Sequence, residues 1–197
     1  MATPTVTALR RSGRRVAVEL DGAPWRTMPS QAVVDAGLAV GVPLDRERAR
    51  TLARSLRRRR ASELTVRALA QRDRSRSELD LRLEQSGVRE GERRDALDRA
   101  ARAGLVDDVR FAATRARALA ERGAGDLLVL DDLARRGIPA KVARAAVSTL
   151  EAEHVRAARV VAARGRSLRT LRYLASRGFA PESLDDLVAE AEDRALP

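Results

Sequence analysis

The order of hydrophobic and polar positions divides the chain into a short strand-like part and a long helical part. In the first part, apolar or β-branched residues follow the strand pattern at Thr5–Leu9 and Arg15–Leu20. The dipeptide Asp21–Gly22 favours a two-residue hairpin turn. Ala23–Pro29 is therefore predicted as a short third strand.

A short helix is predicted directly after these strands. Ser30 is expected to cap the segment Gln-Ala-Val-Val-Asp-Ala, and Gly37 is expected to end it. Because so small a β element buries little apolar surface, we expect it to lean on the helices that follow. We assign residues 1–43 to this N-terminal module.

From Leu44 onward the hydrophobic period becomes helical. Leu52 and Leu56 lie on one predicted face. The pattern predicts one helix from about Asp45 to Arg60 and another from Ala61 to Arg72, either separate or continuous.

A motif then occurs three times along the chain. Each copy opens with Arg and a small or polar turn, and each carries a Leu four residues before a Gly that an apolar residue follows. Such a Gly ends a helix in the left-handed conformation, and the next apolar residue packs back over the last turn. The Leu and Gly pairs are Leu83 and Gly87, Leu133 and Gly137, and Leu174 and Gly178.

Each Gly-ended helix is predicted to lie between two others. The leading helices are Ala61–Arg72, Asp108–Arg122 and Glu151–Arg164, and the following helices are Glu90–Ala103, Pro139–Leu150 and Pro181–Arg194. The predicted fold is mainly α, with three tandem three-helix repeats in an elongated curved body and a small N-terminal β-hairpin module. The repeats are assigned to residues 44–106, including a linking helix, 107–150 and 151–197.

Composition favours a helical binding protein. Aromatic residues are 2% of the chain, so a core must be built from Leu, Val and Ala, whose small size suits close helix packing. The formal net charge of +11 favours a polyanionic or acidic partner. The absence of cysteine excludes disulfides, thiol catalysis and Cys-ligated metals. With no membrane-length apolar run and no apolar signal region, we expect a cytoplasmic protein.

No residue pattern indicates catalysis. His154 has no recognisable metal-ligating partners, and Gly123–Asp126 lacks the ending of a phosphate-binding loop. Asp107 and Asp108 are better explained as helix residues: Gly104 ends one helix, Asp107 caps the next, and Asp108 complements its dipole. We therefore expect no enzyme activity, no cofactor and no metal.

The order of several motifs resembles the RecX family. They are Arg74, Ser75, Glu78 and Leu79; Gly87; Gly-Leu-Val-Asp-Asp-x-Arg-Phe-Ala at 104–112, which contains Phe111; Arg-Gly at 122–123; and Arg-Gly-Ile at 136–138. The resemblance is good from about Ala61 to Leu150 and weaker in the third repeat.

This resemblance implies both fold and function. RecX proteins have three tandem three-helix repeats, bind RecA and RecA–DNA filaments, and inhibit ATP hydrolysis, strand exchange and coprotease activity. The chain would then modulate recombination, DNA repair and the SOS response, as a monomer without a cofactor. The alternative is a DNA-binding helical repeat protein that acts without RecA.

Candidate site residues follow from charge and position. The capping-box spacing of Ser75 and Glu78 predicts a helix start that three arginines surround. Each arginine is alternatively a solvated helix face. The predicted RecA- or DNA-binding residues are Arg57, Arg58, Arg59, Arg60, Arg72, Arg74, Arg76, Arg110, Arg115 and Arg122. The predicted structural residues are Ser75, Glu78, Leu83, Gly87, Gly104, Asp107, Asp108, Phe111, Gly137 and Gly178.

Overall fold

The structure, a computed structural model, describes residues 3–183. Over this range the chain forms three strands and nine α-helices, followed by a 3₁₀ turn at Pro181–Ser183. The strands are β1 (Val6–Ser12), β2 (Arg15–Leu20) and β3 (Ala23–Pro29). The helices are α1 (Ser30–Asp35), α2 (Arg46–Leu69), α3 (Arg76–Gln85), α4 (Glu90–Arg102), α5 (Asp108–Glu121), α6 (Asp126–Arg135), α7 (Ala140–Val147), α8 (Glu153–Arg164) and α9 (Leu168–Ser176).

The predicted mainly helical fold with a small N-terminal sheet is confirmed. The predicted helix Pro181–Arg194 lies outside the described residues except for its first turn. Within the described range, no helix is both long enough and apolar enough to cross a membrane.

The sheet is antiparallel, with strand order β1-β2-β3. Asp21 and Gly22 both have positive φ, 50° and 82°, as the predicted two-residue hairpin turn requires. The predicted cap at Ser30 is wrong: Ser30 is the first residue of α1, and Pro29 occupies the cap position without a side-chain hydrogen bond. The Ser30 N–H instead bonds to the carbonyl of Arg14, 3.0 Å away, because the chain enters α1 straight from β3.

The described chain divides into two compact units, of which the first contains residues up to Ala68 together with Leu83–Arg99. Its sheet residues Val16, Val18 and Met28 form a core with Ala32 of α1 and Leu52 of α2. Helix α2 is continuous over 24 residues, because neither Gly nor Pro interrupts its sequence. The interpretation as two separate helices is therefore wrong, and the continuous alternative is confirmed.

The second unit contains Leu69–Arg82 and the residues from Ala100 onward. Here α5, α6 and α7 share a core built mostly from Ala, Val and Leu, as the low aromatic content predicts. Helices α8 and α9 form a smaller core around Ala157, Leu174 and Phe179.

The three repeat glycines end their helices as the motif predicts. Gly87, Gly137 and Gly178 have φ of 73°, 71° and 78°. The residue after each Gly donates its N–H to the carbonyl of the Leu four positions before that Gly: Val88 to Leu83 at 3.0 Å, Ile138 to Leu133 at 3.1 Å, and Phe179 to Leu174 at 3.2 Å. This bond is the six-to-one bond of a Schellman motif.

Within the second unit, the start of each Gly-ended helix contacts the glycine end of the next one. For α3, the Ser75 hydroxyl donates to the carbonyl of Arg136 at 2.6 Å, and Ser77 lies directly against Gly137. For α6, the N–H of Leu127 donates to the carbonyl of Gly178 at 3.0 Å. We call each such contact a repeat joint.

An acidic residue from the next leading helix completes each repeat joint. The Asp108 carboxylate, at the start of α5, accepts from the N–H of Arg76 at 2.8 Å. The Glu153 carboxylate, at the start of α8, accepts from the N–H of Asp126. Each carboxylate thereby satisfies an N–H that a helix start leaves unpaired. The positions are equivalent, since both acids are the first residue of a leading helix.

Gly137 packs so closely against Ser77 at the first repeat joint that a larger side chain there should destabilise the fold. A Cβ at Gly137 would lie 2.3 Å from the Cβ of Ser77, whereas a Cβ at Gly104 would meet nothing within 4 Å. Both glycines have positive φ, 71° and 68°. Gly137→Ala should therefore lower the free energy of unfolding by about 1–3 kcal/mol more than Gly104→Ala, measured by urea titration. Equal losses would show that only backbone strain matters at these positions.

Candidate functional site

The start of α3 is held by a capping box. The Ser75 hydroxyl accepts from the N–H of Glu78 at 3.1 Å, and the Glu78 carboxylate accepts from the N–H of Ser75 at 3.3 Å. Ser75 is fully buried, so its hydroxyl, which also donates to Arg136, is fixed on both sides. The reciprocal bonds confirm the capping box that the spacing predicts.

Glu78 is also the centre of an ion-pair cluster. Arg72 donates to its two oxygens at 3.1 and 3.2 Å, and Arg136 donates at 2.7 Å. Burial alone would raise the pKa of Glu78, but the hydrogen bond and charge of Arg72, the Ser75 N–H and the charge of Arg136 together lower it. Arg72 therefore has a carboxylate partner in its own unit.

The cluster continues through Arg136 to α5 and α6. Arg136 donates to Asp132 at 2.8 Å, and Arg115 donates to both oxygens of Asp132 at 2.9 and 2.8 Å. The hydrogen bond from Arg115 lowers the pKa of Asp132 most, with further lowering from Arg136. Arg115 is thus tied in a bidentate pair inside the unit. We name the residues Arg72, Glu78, Arg136, Asp132 and Arg115 the arginine–carboxylate chain.

Arg74 has a different environment. Burial lowers the pKa of its guanidinium, and the positive charges of Arg72 and Arg82 lower it further, against a smaller opposing effect of Glu78. Glu78 and Arg82 are four residues apart on one side of α3, and Arg74 lies two residues before the helix begins. Positive charge is therefore concentrated around Arg74. We call Arg72, Arg74 and Arg82 the α3 basic face.

Sequence reasoning missed Arg82, Arg136 and Asp132. The four-residue spacing from Glu78 to Arg82 on the predicted helix was the available signal for Arg82. Nothing local marks Arg136 as a partner of Glu78, since the two are 58 positions apart. Arg76 is the first residue of α3, and its backbone N–H donates to the Asp108 carboxylate in the repeat joint.

The remaining predicted arginines of the second unit are not part of this cluster. The Arg110 guanidinium donates to the carbonyl of Gly104 at 3.1 Å, and Arg110 is exposed on the first turn of α5. Arg122 is exposed at the end of α5, and its carbonyl accepts from Arg177 at 2.8 Å. Arg110 and Arg122 therefore lie at opposite ends of α5, and each already takes part in a hydrogen bond within the second unit.

The run Arg57–Arg60 lies in the first unit, on α2. Arg57 pairs with Glu92 at 2.8 Å, Arg58 with Asp95 at 3.3 Å, and Arg59 with Glu63 at 2.8 Å. Arg60 donates to the carbonyl of Ser86 at 3.3 Å. The run therefore supplies both ion pairs and surface charge.

The carboxylates that might have indicated catalysis have structural partners. Asp107 caps α5 by accepting from the N–H groups of Val109 and Arg110 at 2.9 and 3.0 Å, which lowers its pKa. Asp108 belongs to the repeat joint. In the described part of the chain, no three His, Cys, Asp or Glu side chains are grouped as metal ligands would be, and His154 is exposed.

Comparison with curated proteins finds relatives that share most of their length with this chain. The regulatory protein RecX of Chromohalobacter salexigens is 38% identical over 138 residues, which cover 64% of this chain and 89% of the relative. The regulatory protein RecX of Halorhodospira halophila is 29% identical over 141 residues, covering 66% and 88%. No family model matches the chain.

Solved structures share the fold. A crystal structure of regulatory protein RecX superposes with a TM-score of 0.77 and 16% identity, covering 94% of this chain and 99% of that one. The crystal structure of RecX from Lactobacillus salivarius gives a TM-score of 0.60 at 16% identity, covering 69% and 97%.

The fold and the basic surface define a helical repeat protein whose charged clusters hold helices together. The 38% identity across 89% of a curated relative then decides the family. The chain belongs to the RecX family of regulatory proteins. The fold that the sequence resemblance implied is confirmed.

The arginine–carboxylate chain predicts a pH-dependent contribution to stability. Because the pKa of Asp132 is lower in the folded state, its contribution is complete above the ordinary aspartate pKa and is lost as the pH falls below about 4. Asp132→Asn should lower the free energy of unfolding by about 2 kcal/mol at neutral pH. The difference in free energy of unfolding between this variant and the unsubstituted protein should become smaller in acid. Urea titration at several pH values measures it.

Asp131→Asn is the matched control. Asp131 is the neighbouring residue on α6, and it pairs with Arg135 at the surface, where its side chain is 48% exposed. This substitution should change stability by less than about 0.5 kcal/mol at every pH. If both variants behaved alike, the arginine–carboxylate chain would have no role in stability.

Proposed function

We propose that this protein binds the RecA recombinase filament in the cytoplasm and inhibits its ATPase, strand-exchange and coprotease activities. Recombination, DNA repair and the SOS response would be modulated in this way. The observation that carries the proposal is the membership of the RecX family, with a regulatory protein matched over 89% of its length. The net charge of +11 supports an acidic partner.

The proposed mechanism is binding without chemistry. A protein without catalytic chemistry lowers filament activity either by binding an inactive filament state more tightly than the active one or by blocking a surface that the filament uses. The α3 basic face is the proposed contact, because Arg72 and Arg82 both act on Arg74 through their positive charges, so three cations lie close together here. Arg110 and Arg122 stand at exposed helix ends and are proposed as additional contacts. Arg115 is left out, since its Nε and Nη2 both donate to Asp132 and its side chain is 30% exposed, against 47% for Arg72.

The direct test is the RecA ATPase. The purified protein, added in substoichiometric amounts to RecA on single-stranded DNA, should lower the steady-state rate of ATP hydrolysis. Absence of inhibition together with tight binding to DNA alone would contradict the proposal and favour a DNA-binding protein that acts without RecA.

The α3 basic face has its own test. The double charge reversal Arg74→Glu with Arg82→Glu should raise the concentration needed for half-maximal inhibition by about tenfold, because it replaces two positive charges at the proposed contact. Circular dichroism should show the helicity of the unsubstituted protein.

The matched control reverses two charges on another helix. Lys141 and Arg144 are exposed on α7, and Lys141→Glu with Arg144→Glu changes the net charge by the same amount. This control should leave inhibition within about twofold. Equal losses in both double variants would mean that overall charge, and not the α3 basic face, governs binding.

A further inference from the structure

A basic groove lies in the first unit, between strand β3 and helix α2. It has a volume of about 440 Å³. Its charged lining consists of Arg15, Arg26, Arg57, Arg59, Arg60 and Glu63. We call this feature the sheet–helix groove. It has five guanidinium groups and one carboxylate, so its own charges do not balance.

The two walls of the sheet–helix groove come from different elements. Arg26 lies opposite Val18 in the β2–β3 pairing, and Arg15 lies opposite Pro29. On the other wall, Arg57 and Arg60 are one helical turn apart on α2. A strand wall and a helix wall thus carry positive charge toward the same space.

Three of these arginines have no carboxylate partner among the described residues. Arg57 and Arg59 pair with Glu92 and Glu63, each at 2.8 Å. Arg15 and Arg60 donate only to backbone carbonyls, those of Thr27 at 3.0 Å and Ser86 at 3.3 Å. The Arg26 side chain makes no hydrogen bond or ion pair with any residue that the structure describes. The positive charges of Arg15, Arg26 and Arg60 are therefore available to bind an anion from outside the chain.

We propose that the sheet–helix groove binds the phosphate backbone of a nucleic-acid strand. A guanidinium has a planar set of donors that matches phosphate oxygens and is weakly hydrated. The charges recur every few ångströms along α2, as phosphate charges do along a nucleic acid. An acidic protein segment would be expected to add apolar contacts, but the apolar lining is limited to Pro29, Ala53 and Leu56.

This proposal goes beyond binding to RecA. It assigns to the N-terminal sheet a binding role of its own, in addition to its packing against α1 and α2. Base-specific recognition is not part of it, because guanidinium contacts to phosphate carry no sequence information.

The test uses the full chain without RecA. Binding of a fluorescein-labelled oligothymidylate is followed by anisotropy over a range of salt concentrations. The double variant Arg26→Gln with Arg60→Gln should weaken binding about tenfold near physiological salt. The slope of log affinity against log salt should fall by about 0.7 for each arginine removed.

The matched control removes the same charge elsewhere in the first unit. Arg14 lies in the β1–β2 turn and Arg67 lies near the end of α2; both are exposed, and neither lines the sheet–helix groove. Arg14→Gln with Arg67→Gln should keep the affinity within about twofold and the salt slope unchanged. Thermal unfolding confirms that each variant folds. If the groove double variant does not fold, the single variant Arg26→Gln should show half of the slope change.

Three results would overturn the proposal. The groove variant could bind as tightly as the unsubstituted protein, or both double variants could lose affinity equally. Poly-glutamate could also displace the oligonucleotide as well as unlabelled oligothymidylate of equal charge does, which would point to an acidic protein partner. Because RecA is absent from the assay, none of these results bears on inhibition of the RecA ATPase.

Discussion

The start of helix α3 depends on hydrogen bonds that residues of the next repeat supply. Asp108 accepts from the N–H of Arg76, and the carbonyl of Arg136 accepts from Ser75. Glu153 does the same for the N–H of Asp126 at the start of α6. A repeat of three short helices buries little apolar surface by itself, so contacts of this kind couple neighbours into one cooperative structure. Gly137 completes the first joint because a side chain at that position would collide with Ser77.

The repeat joint also explains why arginines collect at α3. The arginine–carboxylate chain runs from Arg72 through Glu78, Arg136 and Asp132 to Arg115, so it links three helices of the second unit. Such pairs fix geometry because their guanidinium donors match the carboxylate oxygens. Arg74 and Arg82 add positive charge to the same region, and burial together with Arg72 and Arg82 lowers the pKa of Arg74. The arginine–carboxylate chain and the proposed binding surface therefore share Arg72 and meet at α3.

Local sequence determined much of the fold and little of the site. The Ser75 to Glu78 spacing identified a helix start, and the repeat glycines identified helix ends, because both motifs depend on residues within one turn. Ser30 was misassigned because capping preference ignores the strand that leads directly into α1. The partners of Arg72 and Arg115 depend on tertiary packing: Arg136 reaches Glu78 across 58 positions, and Asp132 reaches Arg115 across 17. Charge alone could not separate arginines with structural partners from those of a binding surface.

The central claim is that the α3 basic face, held in place by the repeat joint, is the surface that meets the RecA filament. Hydrogen–deuterium exchange of the protein with and without RecA filaments on single-stranded DNA tests it most directly. The backbone amides in the segment from Arg72 to Gln85 should exchange more slowly when filaments are present. Unchanged exchange in that segment, with protection confined to other helices such as α7, would show that the α3 basic face is not the contact surface.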